Sequence, residues 1–338
     1  MRHYPDSTAA SSQKDGWLIE HMNRPILVWL LLSAVWGSTW LFIKIGLEDV
    51  PPFTFAGARF IVAMLSLAPL LLIRKVRMPR SGSDLRLMLG TGILTFTCAY
   101  GLVYWGEQYI SSGLAALLFG TFPLFGLIIA HFYLAAERMT WTKLAGVVLG
   151  ILGIGLVFSN ELRVTGTAAL WGSVAIVLAA LSAAYADVLI KLRGGHIDPT
   201  LLTMVQMAAG TIPLLVVGVI TEGNPLQFTW TPLALFSLLY LAVVGTSLGF
   251  VLLYWLIKHM EVTKTMLITL VTPLIAVMLG IVFLDEELSW RTAVGGAAIV
   301  AGIGLVVWQG AAVLQQRAAF WFATGKRADA THGDSDPL

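Results

Sequence analysis

The chain states one long apolar stretch twice, and this duplication constrains the fold more than any other feature. The stretch Tyr104 to Phe158 opens YWGEQYISSGLAALLFGTFPLF, and its echo from Tyr254 to Val307 opens YWLIKHMEVTKTMLITLVTPLI. Tyr104-Trp105 returns as Tyr254-Trp255, and Pro123 as Pro273. After one dropped residue, Glu137, Thr140-Trp141, Gly146, Gly153 and Gly155 return as Glu286, Ser289-Trp290, Gly295, Gly302 and Gly304. A repeat of this length means two copies of one structural unit. The unit belongs in lipid: the chain is 57% hydrophobic and 12% charged, against about 45–50% and about 25% in a soluble domain. So few charges could hardly cover the core of a soluble 338-residue protein.

The rest of the chain divides accordingly. Met1 to Arg24 is polar and holds no apolar run of the kind a cleaved signal peptide needs. Ten apolar segments near spanning length follow: Ile26–Gly46, Thr54–Ile73, Leu85–Tyr104, Gly113–Leu134, Trp141–Phe158, Ala168–Ile190, Leu201–Ile220, Pro232–Ile257, Thr263–Leu284 and Trp290–Val313. Arg2, Lys14 and Arg24 precede the first, and Arg74, Lys75, Arg77, Arg80 and Arg86 follow the second. Arg138, Lys143, Lys191, Arg193, Lys258, Lys264, Arg317, Lys326 and Arg327 fall in the other loops of that side, whereas the opposite loops hold only Arg163 and Arg291. The positive-inside bias puts both termini in the cytoplasm. Five spans per copy is an odd number, so the second copy enters the membrane from the other side. The expected fold is an all-α integral membrane protein, ten transmembrane helices as two inverted five-helix repeats. Residues 1–25 read as a cytoplasmic tail, 26–158 and 168–313 as the repeats, and 314–338 as a second tail. Inverted repeats are common in secondary transporters, which hold substrate near mid-membrane between the halves.

In order and duplication, WGSTWLFIK (Trp36–Lys44) with Pro52 and Arg59, SSGLAALLFGTFPLF (Ser111–Phe125), and the AERMTW and DEELSW turns followed by spaced glycines form a specific pattern. From Trp29 to Trp308 the chain resembles EamA-type members of the drug/metabolite transporter superfamily. The resemblance implies ten helices built from a duplicated five-helix unit. It also implies export of amino acids or other small metabolites, with sugar nucleotides and sugar phosphates as cargo of some relatives.

Candidate site residues come from helical spacing. Trp29, Ser33, Trp36, Trp40 and Lys44 lie on one face of the first span. Their counterparts in the sixth are Ile176, Ala180, Ala183, Asp187 and Lys191, since Lys44 matches Lys191 and Pro52 matches Pro199. Trp36 and Trp40 lie deep enough to face a central cavity, with lipid-interface anchoring as the plainer role for such tryptophans. Phe96, Tyr100 and Tyr104 step by four, echoed by Thr246, Phe250 and Tyr254. A tyrosine hydroxyl in lipid needs a partner or water, which points Tyr100 and Tyr104 at a wet cavity. Pro123 and Pro273 each remove a helical hydrogen bond in mid-span, at places where transporters often line a site. Intramembrane charge is costly, so Lys44 and Arg59 are read as receiving or releasing a carboxylate-bearing solute at the outer mouth, with snorkelling of Lys44 and pairing of either base with Glu48 or Asp49 as the structural alternative. Asp187 is the coupling candidate, paired with Lys191 one turn on. Glu107, Glu137 and Glu286 read as caps or loop partners. Gly146-x-x-x-Gly150 and Ala298-x-x-x-Gly302 allow close helix approach, within one chain or between two.

These features describe a secondary transporter that exports a small organic solute, an amino acid or related zwitterion, by alternating access from a bacterial inner membrane. A translocator of lipid or lipid-linked substrate shares the expected fold and stands as the alternative. A membrane-embedded enzyme is a weaker fit, since the six histidines are scattered. No glycine-rich phosphate loop with Gly-Lys-Ser/Thr occurs, so no nucleotide-driven pump is expected. No cofactor or metal is expected, and lone Cys98 reads as a small core residue. The net charge of +2 gives no reason to expect nucleic acid. The expected partners are the solute and the bilayer, with the chain a monomer or homodimer.

Overall fold

The structure is a computed structural model that describes residues 7–74, 76, 78, 81–133, 140–164, 166–259 and 268–305. Among these residues all regular structure is helical. In chain order, α1 is Ser7–Gly46, α2 is Pro52–Arg74, α3 is Gly82–Glu107 and α4 is Ser112–Tyr133. They are followed by α5 at Trp141–Val164, α6 at Thr167–Arg193 and α7 at Pro199–Thr221. The eighth, α8, joins Pro232–Leu239, Tyr240–Leu248 and Gly249–His259, α9 is Ile268–Leu284, and α10 is Trp290–Leu305. Seven of these are long and apolar enough to cross a membrane, and the apolar parts of α5, α9 and α10 are shorter. Leu72, Ile73, Phe132 and Ile220 leave most of their surface uncovered, which suits lipid and not water.

Local chemistry sets the helix ends. Asp198 accepts from the backbone N–H groups of Thr200 and Leu201 ahead of Pro199, and Thr231 accepts from that of Ala234 ahead of Pro232. Ser111 caps α4 through the N–H of Leu114. These are N-caps, in which a side-chain oxygen satisfies a donor that the first turn leaves open. The N-terminal tail expected over residues 1–25 is helical from Ser7, continuous with α1 through Pro25. Its Ala, Gln, Lys, Glu and Leu content favours helix. The C-terminal tail expected at 314–338 and the Glu137 turn lie outside the described residues.

Three helices depart from regular α geometry. In α4, Ser112–Phe119 and Phe122–Tyr133 are separated at Gly120-Thr121, just ahead of Pro123. Pro123 has no N–H for the carbonyl of Phe119, and tighter bonds replace the missing one: Thr121 N–H to Leu118 O at 3.1 Å and Leu124 N–H to Thr121 O at 2.9 Å. The matching break expected at Pro273 is absent, because α9 runs unbroken from Ile268 to Leu284. One lost hydrogen bond is not enough to end a helix where packing holds it. The third helix of each copy carries a π-helical stretch, Ile93–Ala99 in α3 and Tyr240–Leu248 in α8.

The most extensive packing pairs are reciprocal. Helix α1 lies on α9 and α6 lies on α4; α3 packs on α7 and α6, and α8 packs on α2 and α1. Helices α2 and α7 pack on each other, as do α4 and α9. Exchanging each helix with the one five places on leaves this set unchanged. Gly153 and Gly295 set the backbones of α5 and α10 directly together: a Cβ on either would meet the other's carbonyl oxygen at under 3 Å. In the small-residue motifs themselves, a Cβ on Gly302 would meet Gly146 O at 2.5 Å and Gly150 N at 3.0 Å, so these motifs make contact within one chain.

Candidate functional site

One end of the bundle, where α1 finishes and α2 begins, is closed by side chains that cap neighbouring elements. Lys44 Nζ donates to the carbonyl of Glu107 at 2.6 Å, of Ile110 at 2.8 Å and of Gln108 at 3.5 Å, tying α1 to the end of α3. Glu286, just past α9, accepts from the N–H groups of Ser112 at 2.6 Å and Gly113 at 3.1 Å, where α4 begins. Glu222, just past α7, accepts from the N–H groups of Phe53 and Thr54 and from the Thr54 hydroxyl at 2.7–2.9 Å, where α2 begins. Thr231 donates to Asp49 at 2.5 Å. Carboxylates at helix N-termini and an ammonium at a helix C-terminus match the helix dipoles. Val50, Phe55, Ile110 and Ser112 are buried here. This is the sealed end.

At the opposite end the core of the described residues divides. One large apolar cluster runs from the sealed end through the middle to Leu67, Leu127 and Val147. Apart from it, Leu32, Leu256 and Ile268 form a cluster between α1, α8 and α9, while Met88, Ile197 and Leu202 form another between α3 and α7.

Between the ends stands Arg59, seven residues into α2 and thus about 10 Å along it, with only 3% of its surface exposed. Its Nε donates to the Thr246 hydroxyl at 3.1 Å and Nη1 to the Tyr104 hydroxyl at 3.1 Å. The guanidinium carbon lies 5.3 Å from the Tyr100 ring centre and 5.8 Å from that of Phe60, within cation–π range. A guanidinium carries five N–H donors, and Nη2 bonds none of the described residues. It points past Gly245, where a Cβ would stand 3.7 Å away.

The π-helical stretch of α8 supplies the polar wall opposite. The Thr246 hydroxyl donates to Leu241 O at 2.9 Å and that of Ser247 to Ala242 O at 3.2 Å, both five residues back. Trp36 Nε1 donates to Gly245 O at 3.2 Å, Tyr240 pairs with Ser38 at 2.6 Å, and Ser247 pairs with Ser66. With Arg59 donating to Thr246, and Ser247 to Ala63 O at 3.3 Å, one stretch of α8 thus meets α1 and α2 through five polar contacts. Stretches of this kind are frequent at functional sites.

The residues singled out in the sequence do not all come together. Arg59, Tyr100, Tyr104 and Trp36 come together; Tyr104 is fully buried on Arg59, where a wet setting was expected. Trp40 packs against the main core instead, its ring 5.5 Å from that of Phe119. Phe250 is half-buried two residues beyond the π-helical stretch, and the side chain of Tyr254 lies outside the described residues. Lys44 belongs to the seal and bonds carbonyls, not the acidic partners expected for it. Pro123 sits at the α4 break, and Pro273 of α9 packs towards Gly120 of that break. Asp187 and Lys191 stand apart, both exposed. The ion pair expected between them is not formed, because four residues along a helix bring side chains within reach without making them meet. Glu286 is a cap, as expected. Glu107 is not a cap: it is fully buried, and neither carboxyl oxygen has a hydrogen-bond partner. Thr246 stands in the sequence only as the echo of Phe96, with no role of its own, and Glu222 is not singled out; a Thr-Ser pair at 246–247 inside an apolar run is the available signal.

Two grooves, of about 640 Å³ and 500 Å³, share no residue with the Arg59 group. The first lies between α4 and α6, lined by Ile128, Phe132, Tyr133, Leu181, Ser182 and Tyr185 among others; the second lies between α3 and α7. Among the described residues no three His, Cys, Asp or Glu side chains gather to hold a metal ion.

Comparison with known proteins fits this geometry. The model of the EamA-like transporter family matches twice, over residues 24–159 and 170–308. The chain belongs to the EamA-like transporter family and is a membrane transporter. It is 29% identical to the uncharacterized transporter YoaV of Bacillus subtilis (strain 168), over 83% of this chain and 96% of that one. Against the uncharacterized inner membrane transporter YedA of Escherichia coli (strain K12) the identity is 29%, over 76% and 82%. An uncharacterized transporter of Archaeoglobus fulgidus is 26% identical over 82% and 98%. One solved crystal structure shares the fold with a TM-score of 0.59 at 19% identity, over 88% of this chain and 99% of that chain.

Proposed function

We propose that the protein is a secondary transporter that exports a small carboxylate-bearing organic solute, an amino acid or related zwitterion, by alternating access. The observation that carries this reading is Arg59, a buried guanidinium with donors that no described residue fills, walled by Tyr100, Tyr104 and Phe60. A buried charge is retained where it is paired, and a solute carboxylate would complete the pairing in the fork geometry that guanidinium favours. Aromatic faces beside it would cover the carbon skeleton of the solute.

The architecture proposed for such transport is ten crossing helices in two inverted repeats, residues 26–158 and 168–313. Support comes from the two family matches, the reciprocal packing and the π-helical stretches at corresponding places in α3 and α8. The sealed end is assigned to the outside of a bacterial inner membrane and both termini to the cytoplasm, following the distribution of Lys and Arg. A closed outer end with a divided core opposite fits a state facing inward. The deciding experiment is flux in proteoliposomes over a panel of amino acids and neutral analogues. Saturable uptake of a carboxylate-bearing solute, lost in Arg59→Gln, supports the proposal; undiminished uptake of that solute by the folded variant, or an equal loss for a neutral analogue, refutes the role of Arg59.

The apolar groove between α4 and α6 favours a second reading, in which a lipid chain lies along the flank and the cargo is lipid-linked. Flip of a labelled phospholipid in the same vesicles, without solute flux, would select it.

A further inference from the structure

Glu107 ends α3 beside Gln108, which is exposed, yet Glu107 itself has no exposed surface. The enclosure has an identifiable cause. Gly106 and Gly172 bring the backbones of α3 and α6 into contact, and a Cβ on either would lie within 3 Å of the other's carbonyl oxygen. On the other side Lys44 draws the carbonyls of Glu107 and Ile110 together.

The charged and titratable groups facing Glu107 are Lys44 from α1, Arg59 from α2, Tyr104 on α3 itself, and Glu286 from the segment after α9. None donates a hydrogen bond to its carboxyl group. The ammonium of Lys44 has three N–H donors, and its three acceptors are the carbonyls of Glu107, Gln108 and Ile110. Arg59 donates to Thr246 and Tyr104 and not to this carboxyl group. Glu286, near it, accepts two backbone N–H groups. The contrast is chemical. An ionised carboxylate is an acceptor only and needs donors, whereas a neutral acid loses much less when enclosed.

We propose that Glu107 is a proton-binding site of the transport cycle: its carboxyl group holds a proton while the sealed end is closed and releases it to water when that end opens. The proposal rests on the alternating-access reading above. Opening must part α1 from α3, which breaks the bonds from Lys44 to Glu107 O and Ile110 O. Water then reaches the carboxyl group, and the freed ammonium becomes its counter-ion. A group that binds a proton differently in two conformations biases their balance, and solute and proton become linked.

Two measurements on the full chain in lipid nanodiscs, without solute, test this. Infrared spectra near neutral pH should show the carbonyl band of a buried, protonated carboxylic acid that disappears in Glu107→Gln. Should that variant not fold, Glu107→Asp should shift the band. No such band in the unaltered protein, or a band untouched by both variants, overturns the proposal. The second measurement, in a Cys98→Ala background, follows thiol labelling of Val50→Cys, buried at the sealed end, relative to the exposed Gln108→Cys. The ratio should rise about tenfold or more from acid to alkaline pH, within the usual range of such coupling, and stay low when Glu107→Gln is added. The same rise with Glu107→Gln, or no rise at all, also overturns it. If solute flux is never found, the transport reading fails while the infrared result still stands for the site.

Discussion

Lys44 and Lys191 occupy the same place in the two copies of the repeat, yet they do different work. Lys44 folds onto the carbonyls at the end of α3 and closes one end of the bundle. Lys191 stands exposed at the other end. One turn earlier in each helix, Trp40 packs into the core beside Phe119, while Asp187 is exposed. The same holds deeper in: Arg59 of α2 reaches Thr246 of α8, and its counterpart Gln206 of α7 reaches Thr91 of α3 at 2.9 Å with a neutral amide. Equivalent positions in a duplicated chain thus separate into a scaffold that both halves share and a chemistry that only one half carries. The comparison also separates the ends, one bonded across elements and one with its core divided.

The largest effect should come from making the halves alike at the charged position. Arg59→Gln removes charge-assisted bonds of about 1.5–3 kcal/mol, so flux of a carboxylate-bearing solute should fall about 10- to 100-fold at equal amounts of folded protein. A neutral analogue, if carried, should change much less. Next, Lys44→Met leaves the carbonyls of Glu107 and Ile110 without their donor and should cost about 2–3 kcal/mol in thermal or denaturant unfolding. Glu286→Ala removes the acceptor from the start of α4 and should cost about 1–2 kcal/mol, with faster labelling of a cysteine at Val50 as the seal loosens. The smallest effect should be Lys191→Met, within about 0.5 kcal/mol as for an exposed site. If Lys191→Met matches Lys44→Met in unfolding, the asymmetry between the ends is wrong.

Helix positions, their apolar character and the duplication were legible because they are local or self-referential: hydropathy over about 20 residues and one stretch compared with another. The aromatic and basic stripes on α1, α2 and α3 were legible for the same reason, since spacing along one helix puts residues on one face. Pro123 and Pro273 look alike in sequence but break only α4, because Gly120-Thr121 stands ahead of Pro123 and the two positions pack differently. Glu107 and Glu286 likewise look alike as acidic residues at helix ends, but one is enclosed without a donor and the other is a cap.

The sequence by itself determined that this chain is apolar, helical, duplicated and basic on one set of loops. Only the tertiary structure decided which polar groups meet. Arg59 finds Thr246 across 187 residues, Lys44 finds Ile110 across 66, and Glu286 finds Ser112 across 174. The physical reason is that a helix satisfies its own backbone bonds locally, which makes it readable from its own residues. Its side chains and its open ends are satisfied by other helices, and the identity of those partners depends on how the helices pack.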